Sequence, residues 1–181
     1  MDDLFRLRRK IKEDKRYKAV RKLFKTSDLF QLPISEYRSE VRDLFKMLKF
    51  RSLTVNGNKA LDKLAEAVVQ NQSYRSRMTE IYAHLTESTR TLDRLLDRFM
   101  DYATVTYARD LKAVGAAKER SSAIRAVMET YYKYADEARL LTEEIDLYMK
   151  DIDKAGFAAK ALVDTLALIN QREYGLPNAR K

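Results

Sequence analysis

The residues best suited to catalysis or metal binding are few in this chain of 181 residues. It has no cysteine and one histidine, His84, which excludes a thiolate nucleophile and a cysteine–histidine pair. Glu80, His84 and Glu87 follow one another on successive turns of a predicted helix, as metal ligands could. A di-iron helical bundle, however, takes a Glu-x-x-His pair from each of two helices. We therefore expect no metal and no cofactor, and interpret these side chains as a solvent-facing surface.

A row of aspartates with four-residue spacing could supply the paired carboxylates of acid–base catalysis. Arginines alternate with them, and Asp–Arg pairs at this spacing form ion pairs on a helix surface. The four glycines form neither a phosphate-binding loop nor a dinucleotide fingerprint. We therefore expect surface ion pairs and a protein that is not an enzyme. The aspartates are Asp93, Asp97 and Asp101, and the arginines are Arg90, Arg94 and Arg98.

The strongest chemical signal is a run of basic residues near the N-terminus. Residues 6–25 contain eleven basic and two acidic residues, whereas the formal charge of the whole chain is +9. Lys and Arg neutralise phosphates without a fixed spacing, and no base-reading motif accompanies them, so we expect contacts to a nucleic-acid backbone. The predicted contacts are Arg6, Arg8, Arg9, Lys10, Lys12, Lys15, Arg16, Lys18, Arg21, Lys22 and Lys25.

The basic run has two other interpretations. An apolar edge at Leu4, Phe5, Leu7 and Ile11 would suit a membrane surface, although a membrane is not the partner that we expect. A solvated or protein-facing helix is the second. Outside the run, Tyr107 and Tyr132 could stack single-stranded bases, or pack against a neighbouring subunit.

A heptad pattern fills the C-terminal half of the chain, because apolar or aromatic residues recur there in alternating steps of three and four. This spacing predicts a long helix that packs against another helix. The residues of this C-terminal seam are Ile124, Val127, Tyr131, Tyr134, Ala138, Leu141, Ile145, Tyr148, Ile152, Ala155, Ala159, Leu162, Leu166 and Ile169. An upstream seam has the same steps and comprises Tyr74, Met78, Ile81, Leu85, Ser88, Leu92, Leu95, Phe99, Tyr102 and Thr106.

Residues 113–117 separate the two seams, and Gly115 among them suits the end of a helix. We predict an all-α fold: a long antiparallel, coiled-coil-like helical hairpin at 58–175, a small basic helical head at 1–57 and a short basic tail at 176–181. Such a hairpin cannot bury all its apolar surface, so we expect a homo-oligomer. The predicted oligomerisation residues are Ile124, Val127, Tyr131, Tyr134, Leu141, Ile145, Tyr148, Ile152, Leu162 and Leu166.

Several boundaries within this plan are also predicted. A bend is expected near Glu13-Asp14, and Gln31-Leu-Pro-Ile34 is expected to be a connector, after which Ser35 can cap a helix that reaches about Phe50. Residues 55–58 form the clearest turn, and residues 70–73 are either a break or part of a continuous helix. The N-terminus lacks the apolar core of a signal peptide, and no run approaches the roughly 20 apolar residues of a membrane span. We therefore expect a location in the host-cell cytoplasm or in a virion.

Four segments between residues 110 and 175 carry a further signal. They are Leu111-Lys-Ala113, Ala135-Asp-Glu-Ala-Arg-Leu-Leu141, Met149-Lys-Asp-Ile152 and Ala155-Gly-Phe-Ala-Ala-Lys160, with Gly175 near the end. Together they resemble the C-terminal half of phage recombination mediators of the UvsY type, although Val114 replaces an arginine of that family. The resemblance implies an oligomeric single-strand-binding protein that helps to load a RecA-like recombinase onto DNA coated by single-strand-binding protein. It makes Lys112 and Lys160 candidate strand contacts.

The sequence thus predicts a non-enzymatic, oligomeric nucleic-acid-binding accessory protein of a phage, of the recombination-mediator kind. Its expected partners are nucleic acid, copies of itself, and a recombinase or other phage proteins. One alternative is a virion assembly or structural protein, either a small-terminase-like packaging factor or a head, neck or tail component. The absence of a clear helix-turn-helix in residues 1–57 counts against the packaging factor. The second alternative is an inhibitor or binder of a host protein.

Overall fold

The computed structural model describes residues 2–48 and 59–173, and every regular element in these ranges is a helix. This confirms the predicted all-α class. None of the described helices combines the length and apolar composition that crossing a bilayer requires. The helices are α1 (Asp2–Glu13), α2 (Lys15–Thr26), a short 3₁₀ turn (Asp28–Phe30), α3 (Ile34–Lys46), α4 (Lys59–Thr106), α5 (Ala108–Val114), α6 (Ala117–Val127) and α7 (Glu129–Glu173).

The long helices α4 and α7 form the predicted antiparallel hairpin. Residue numbers rise along α4 as they fall along α7: Arg75 Nε lies 2.6 Å from Asp153 Oδ1, and Thr79 Oγ1 lies 3.4 Å from Met149 Sδ. The helix α4 continues through residues 70–73, where the sequence left a break open. The helix runs on without a cap at this point, and the burial of one stripe of its side chains stabilises it.

A tight link at Gly115 and Ala116 joins α5 to α6. Gly115 has a φ of +136°, which side-chain-bearing residues rarely adopt. The carboxylate of Glu119 accepts a hydrogen bond from the Ala116 N–H at 2.8 Å, and Arg120 Nε donates to the Gly115 carbonyl at 2.7 Å. The predicted helix end at Gly115 is therefore confirmed, within a shorter link than residues 113–117.

The C-terminal seam is not one continuous helix, and that expectation is wrong at Met128. There α6 ends, and the Tyr131 N–H bonds back to the Met128 carbonyl at 3.0 Å, a three-residue spacing that marks a local break. Val127 and Met128 are both buried. No glycine or proline stands near Met128, so no local signal in the sequence indicates this break.

The upstream seam also shifts, because Leu96 and Ala103 are fully buried whereas Leu95 and Tyr102 are only half-buried. Thr106, the last residue of the predicted seam, is exposed. A helix with two neighbours, rather than one, buries a wider stripe than a strict heptad. The sequence pattern is therefore accurate as far as Leu92 and again at Phe99, whereas Leu96 and Ala103 are buried one residue beyond the predicted positions.

The chain divides into two compact units. Unit one comprises Met1–Glu36 and Tyr82–Glu143, so α1 and α2 share a core with parts of α4 and α7 and with α5 and α6. The packing of α1 on α5 and α6 closes this core. Its buried residues are Leu7, Ile11, Tyr17, Val20, Phe30, Leu92, Leu96, Phe99, Ala103, Leu111, Ala123, Ile124, Val127, Met128, Tyr131 and Ala135.

Unit two comprises Tyr37–Ile81 and Glu144–Lys181. Here the Phe45 ring stacks on Tyr148, with ring centroids 4.0 Å apart, and Arg42 Nε donates to Glu144 at 2.8 Å. The helix α3 begins at Ile34, directly after Pro33, so the predicted cap at Ser35 is wrong and that residue lies inside the first turn. The predicted helix end near Phe50, the turn at 55–58 and the tail at 176–181 lie outside the described residues.

Candidate nucleic-acid interface

The helices α1 and α2 each have one apolar face and one basic face. Leu7 and Ile11 of α1, with Tyr17 and Val20 of α2, are buried in unit one. All eleven basic residues of positions 6–25, which the sequence predicts to contact a nucleic-acid backbone, are exposed. The exposed cations of α1 and α2 are hereafter the basic surface: Arg6, Arg8, Arg9, Lys10, Lys12, Lys15, Arg16, Lys18, Arg21, Lys22 and Lys25.

The junction between α1 and α2 is held by Asp14, which confirms the predicted bend. Its Oδ1 accepts from the Arg16 N–H at 2.6 Å and so caps α2. Its Oδ2 accepts from the hydroxyls of Tyr102 and Tyr107 at 2.9 and 2.7 Å. Burial acts to raise the pKa of Asp14, but the hydrogen bonds together outweigh it and the pKa lies below its usual value. The Asp14 carboxylate thus stays ionised and links the junction of α1 and α2 to Tyr102 and Tyr107.

Three further contacts position cations of the basic surface. Lys10 Nζ lies 2.8 Å from Asp110 on α5, and the Arg9 guanidinium lies 3.0 Å from Glu13. The Arg16 guanidinium lies 4.0 Å from the centre of the Tyr102 ring, a cation–π geometry. Because these contacts are exposed, each contributes little to stability. Their effect is to orient the cations without removing them from solvent.

The two tyrosines that could have stacked bases are engaged elsewhere. Tyr107 is half-buried and its hydroxyl donates to Asp14. Tyr132 is half-buried, and the Arg125 guanidinium covers its ring at 5.3 Å. Burial raises the pKa of both hydroxyls. Each side chain is therefore partly buried and already engaged within the chain, and base stacking by these tyrosines stays a prediction.

Both lysines implied by the family resemblance are exposed. Lys112 lies on α5 in unit one, and Lys160 lies on α7 in unit two. Lys160 borders an open apolar cleft between α4 and α7 that also includes Val69 and Val163. Each lysine can reach an anion, but each belongs to a different unit.

Most of the predicted oligomerisation residues pack within the chain itself. Self-association stays a prediction, and a second copy would have to meet other side chains, such as Leu140, Leu147 and Phe157, which are exposed apolar residues outside the seam. The side chain of Leu166 lies outside the described residues. Ile124, Val127, Tyr131, Leu141, Ile145 and Ile152 are buried within the chain, and Tyr134, Tyr148 and Leu162 are half-buried.

Two of the acidic residues that resembled a site, Asp93 and Glu80, form ion pairs. Asp93 contacts the Arg139 guanidinium of α7, so the expectation that it pairs along its own helix is wrong. Arg139 also contacts Asp136 at 2.6 Å. Glu80 pairs with Arg77 at 3.0 Å in unit two. The interhelical pair could not be read from spacing, because it joins residues 46 positions apart.

Comparisons with known protein families, with curated proteins and with solved structures give no match for this chain.

Proposed function

We propose that this protein is a non-enzymatic nucleic-acid-binding accessory protein that holds the phosphate backbone on its basic surface. One observation carries the proposal: Leu7, Ile11, Tyr17 and Val20 of α1 and α2 are buried in the chain's own core, while every cation of the run stays exposed. An amphipathic helix that binds a bilayer keeps its apolar face free. Of the apolar edge on α1, Leu7 and Ile11 are fully buried and Leu4 is half-buried, so Phe5 alone stays exposed to meet a membrane.

The acidic residues nearest the basic surface offset only part of its charge. Glu13 is paired with Arg9 and Asp110 with Lys10, while Asp14 stays a charged carboxylate that accepts from two tyrosine hydroxyls. Eleven cations in residues 6–25 stand against Glu13 and Asp14, so a local positive excess remains. A localised excess of cations attracts a polyanion and releases its condensed counterions, so binding is steeply salt-dependent and independent of sequence. We expect contacts of the backbone-positioning kind, without base-edge readout.

The test compares two charge-reversal variants for binding of a labelled single-stranded oligonucleotide by fluorescence anisotropy, as a function of salt. The variant Lys18→Glu/Lys22→Glu alters α2. Because each single-strand phosphate contact contributes about 0.7 to the salt slope, it should lower that slope by about 1.4 and weaken binding strongly. The control Lys118→Glu/Lys154→Glu makes the same charge change at exposed lysines on α6 and α7. Equal losses in the two variants would refute the basic surface as the binding site.

Within this function we favour recombination accessory work by a phage protein that assembles into homo-oligomers. The segments of residues 110–175 that resemble UvsY-type mediators support it, as do the exposed Lys112 and Lys160. The protein should then speed assembly of a RecA-like recombinase on DNA coated with single-strand-binding protein, and light scattering should give a mass above that of one chain. A monomer at micromolar concentration would refute the homo-oligomer. A chain recovered in purified virions would instead favour the structural alternative.

A further inference from the structure

A cleft opens within the basic surface, between α2 and the first turn of α7. It has a volume of about 510 Å³, within the range of small-molecule sites. Every lining residue belongs to unit one. The lining residues are Lys12, Tyr17, Arg21, Phe24, Lys25, Gln31, Thr130 and Tyr131.

The floor of this cleft is aromatic and firmly packed. The Phe24 ring meets Tyr131 edge-on at a centroid distance of 4.8 Å, and it is stacked on Phe30 at 5.6 Å. Tyr17 and Tyr131 are buried, while Phe24 is half-buried and offers the most accessible ring of the three. Gln31 Nε2 donates to the Phe24 carbonyl at 2.6 Å and fixes the end of α2. These contacts organise the floor before any ligand arrives.

The rim of the cleft is cationic. Lys12 of α1 and Arg21 and Lys25 of α2 are exposed, and Thr130 adds an exposed hydroxyl from α7. An aromatic floor beside exposed cations suits a ligand with an aromatic face and an anionic group. The cleft in unit two that borders Lys160 is lined almost wholly by aliphatic side chains and lacks this combination.

We propose that this cleft, hereafter the nucleotide pocket, accepts one unstacked nucleotide of a single strand, with its base against Phe24 and its phosphate among Lys12, Arg21 and Lys25. The proposal deepens the proposed function and rests on it. In a duplex the bases are stacked and paired, so they cannot enter the pocket without an unstacking cost. The pocket thus adds a preference for single strands to a surface that would otherwise bind any polyanion.

The test fills the pocket without changing its charge. Thr130→Trp places bulk at the exposed rim, and Thr165→Trp makes the same change at an exposed position of α7 in unit two. The probes are oligo(dT), a duplex of equal length, and an oligonucleotide of the same length with abasic sites. We expect Thr130→Trp to weaken oligo(dT) binding by about tenfold, the scale of one base–aromatic contact, with the duplex changed less than about twofold. Thr165→Trp should leave all three affinities unchanged.

The outcomes separate the pocket from the basic surface. If Thr130→Trp binds oligo(dT) as well as the unaltered protein, with its salt slope intact, the pocket is refuted and the proposed function stands. If the abasic probe binds as tightly as oligo(dT), the cleft holds phosphate without a base and the pocket is again refuted. If the unaltered protein binds none of the three probes, both proposals fail. Circular dichroism melting of each variant establishes that a lost affinity is not a lost fold.

Discussion

The Tyr107 hydroxyl donates a hydrogen bond of 2.7 Å to Asp14 Oδ2, joining the end of the long hairpin helix to the turn between the two basic helices. Tyr102 donates to the same oxygen. The carboxylate between the two helices is thereby fixed, and the cations on either side of it keep their direction. Loss of these bonds should therefore affect both the stability of unit one and the arrangement of the basic surface.

Removing one donor gives the first prediction. Tyr107→Phe deletes a hydrogen bond to a charged group and should lower the free energy of unfolding by about 1–2 kcal/mol, measured by urea denaturation. Asp14→Ala also removes the cap of α2 and leaves two hydroxyls unpaired, so it should cost about 2–4 kcal/mol. The control Tyr37→Phe alters a half-buried tyrosine whose hydroxyl bonds no other described residue. A loss from Tyr107→Phe no larger than from Tyr37→Phe would contradict the role given to this bond.

Alkaline pH should weaken unit one through its buried tyrosines. Burial, with the neighbouring Tyr17 hydroxyl, raises the pKa of Tyr131 to about 12 from its ordinary value of 10.0. A raised folded-state pKa stabilises the fold fully below the unfolded pKa, and this contribution is lost as the pH climbs from about 10 to about 12. Urea denaturation across that range should show a steeper fall for the unaltered protein than for Tyr131→Phe. Parallel curves would exclude Tyr131 as a source of the pH dependence.

Local signals predicted much of this fold, while long-range contacts lay beyond them. The break at Asp14 and the link at Gly115 follow from backbone chemistry that acts within a few residues. The break at Met128 has no glycine or proline near it, so no local signal predicted it. The hydroxyls that donate to Asp14 belong to Tyr102 and Tyr107, which are 88 and 93 positions away. A periodic pattern in the sequence cannot predict a contact between such distant residues. The nucleotide pocket likewise needs α1, α2 and α7 together.

The glycines at positions 115 and 156 should respond oppositely to alanine. A Cβ at Gly115 would lie 1.7 Å from Glu119 Oε2, and its φ of +136° already disfavours a side chain. Gly115→Ala should therefore cost about 2–3 kcal/mol from backbone strain and the displaced cap. Gly156 lies within α7, with open space where a Cβ would stand, so Gly156→Ala should gain about 0.5–1 kcal/mol. Thermal and urea unfolding of the two variants measure both signs, and a stabilising Gly115→Ala would contradict the strained link.

The pair Arg75–Asp153 should contribute measurably to the contact of α4 with α7 in unit two. Its two hydrogen bonds, of 2.6 and 2.9 Å, are parallel and partly buried, and the pKa of Asp153 lies below its usual value chiefly because Arg75 donates to it. A double-mutant cycle with Arg75→Ala and Asp153→Ala should give a coupling free energy of about 0.5–1 kcal/mol. The more exposed pair Lys154–Asp151, separated by 3.7 Å within α7, is the matched control and should give a coupling close to zero. Equal coupling free energies in the two cycles would mean that the Arg75–Asp153 hydrogen bonds are no more favourable than the hydrogen bonds that the same groups make with water. Apolar packing alone would then hold α4 against α7 there.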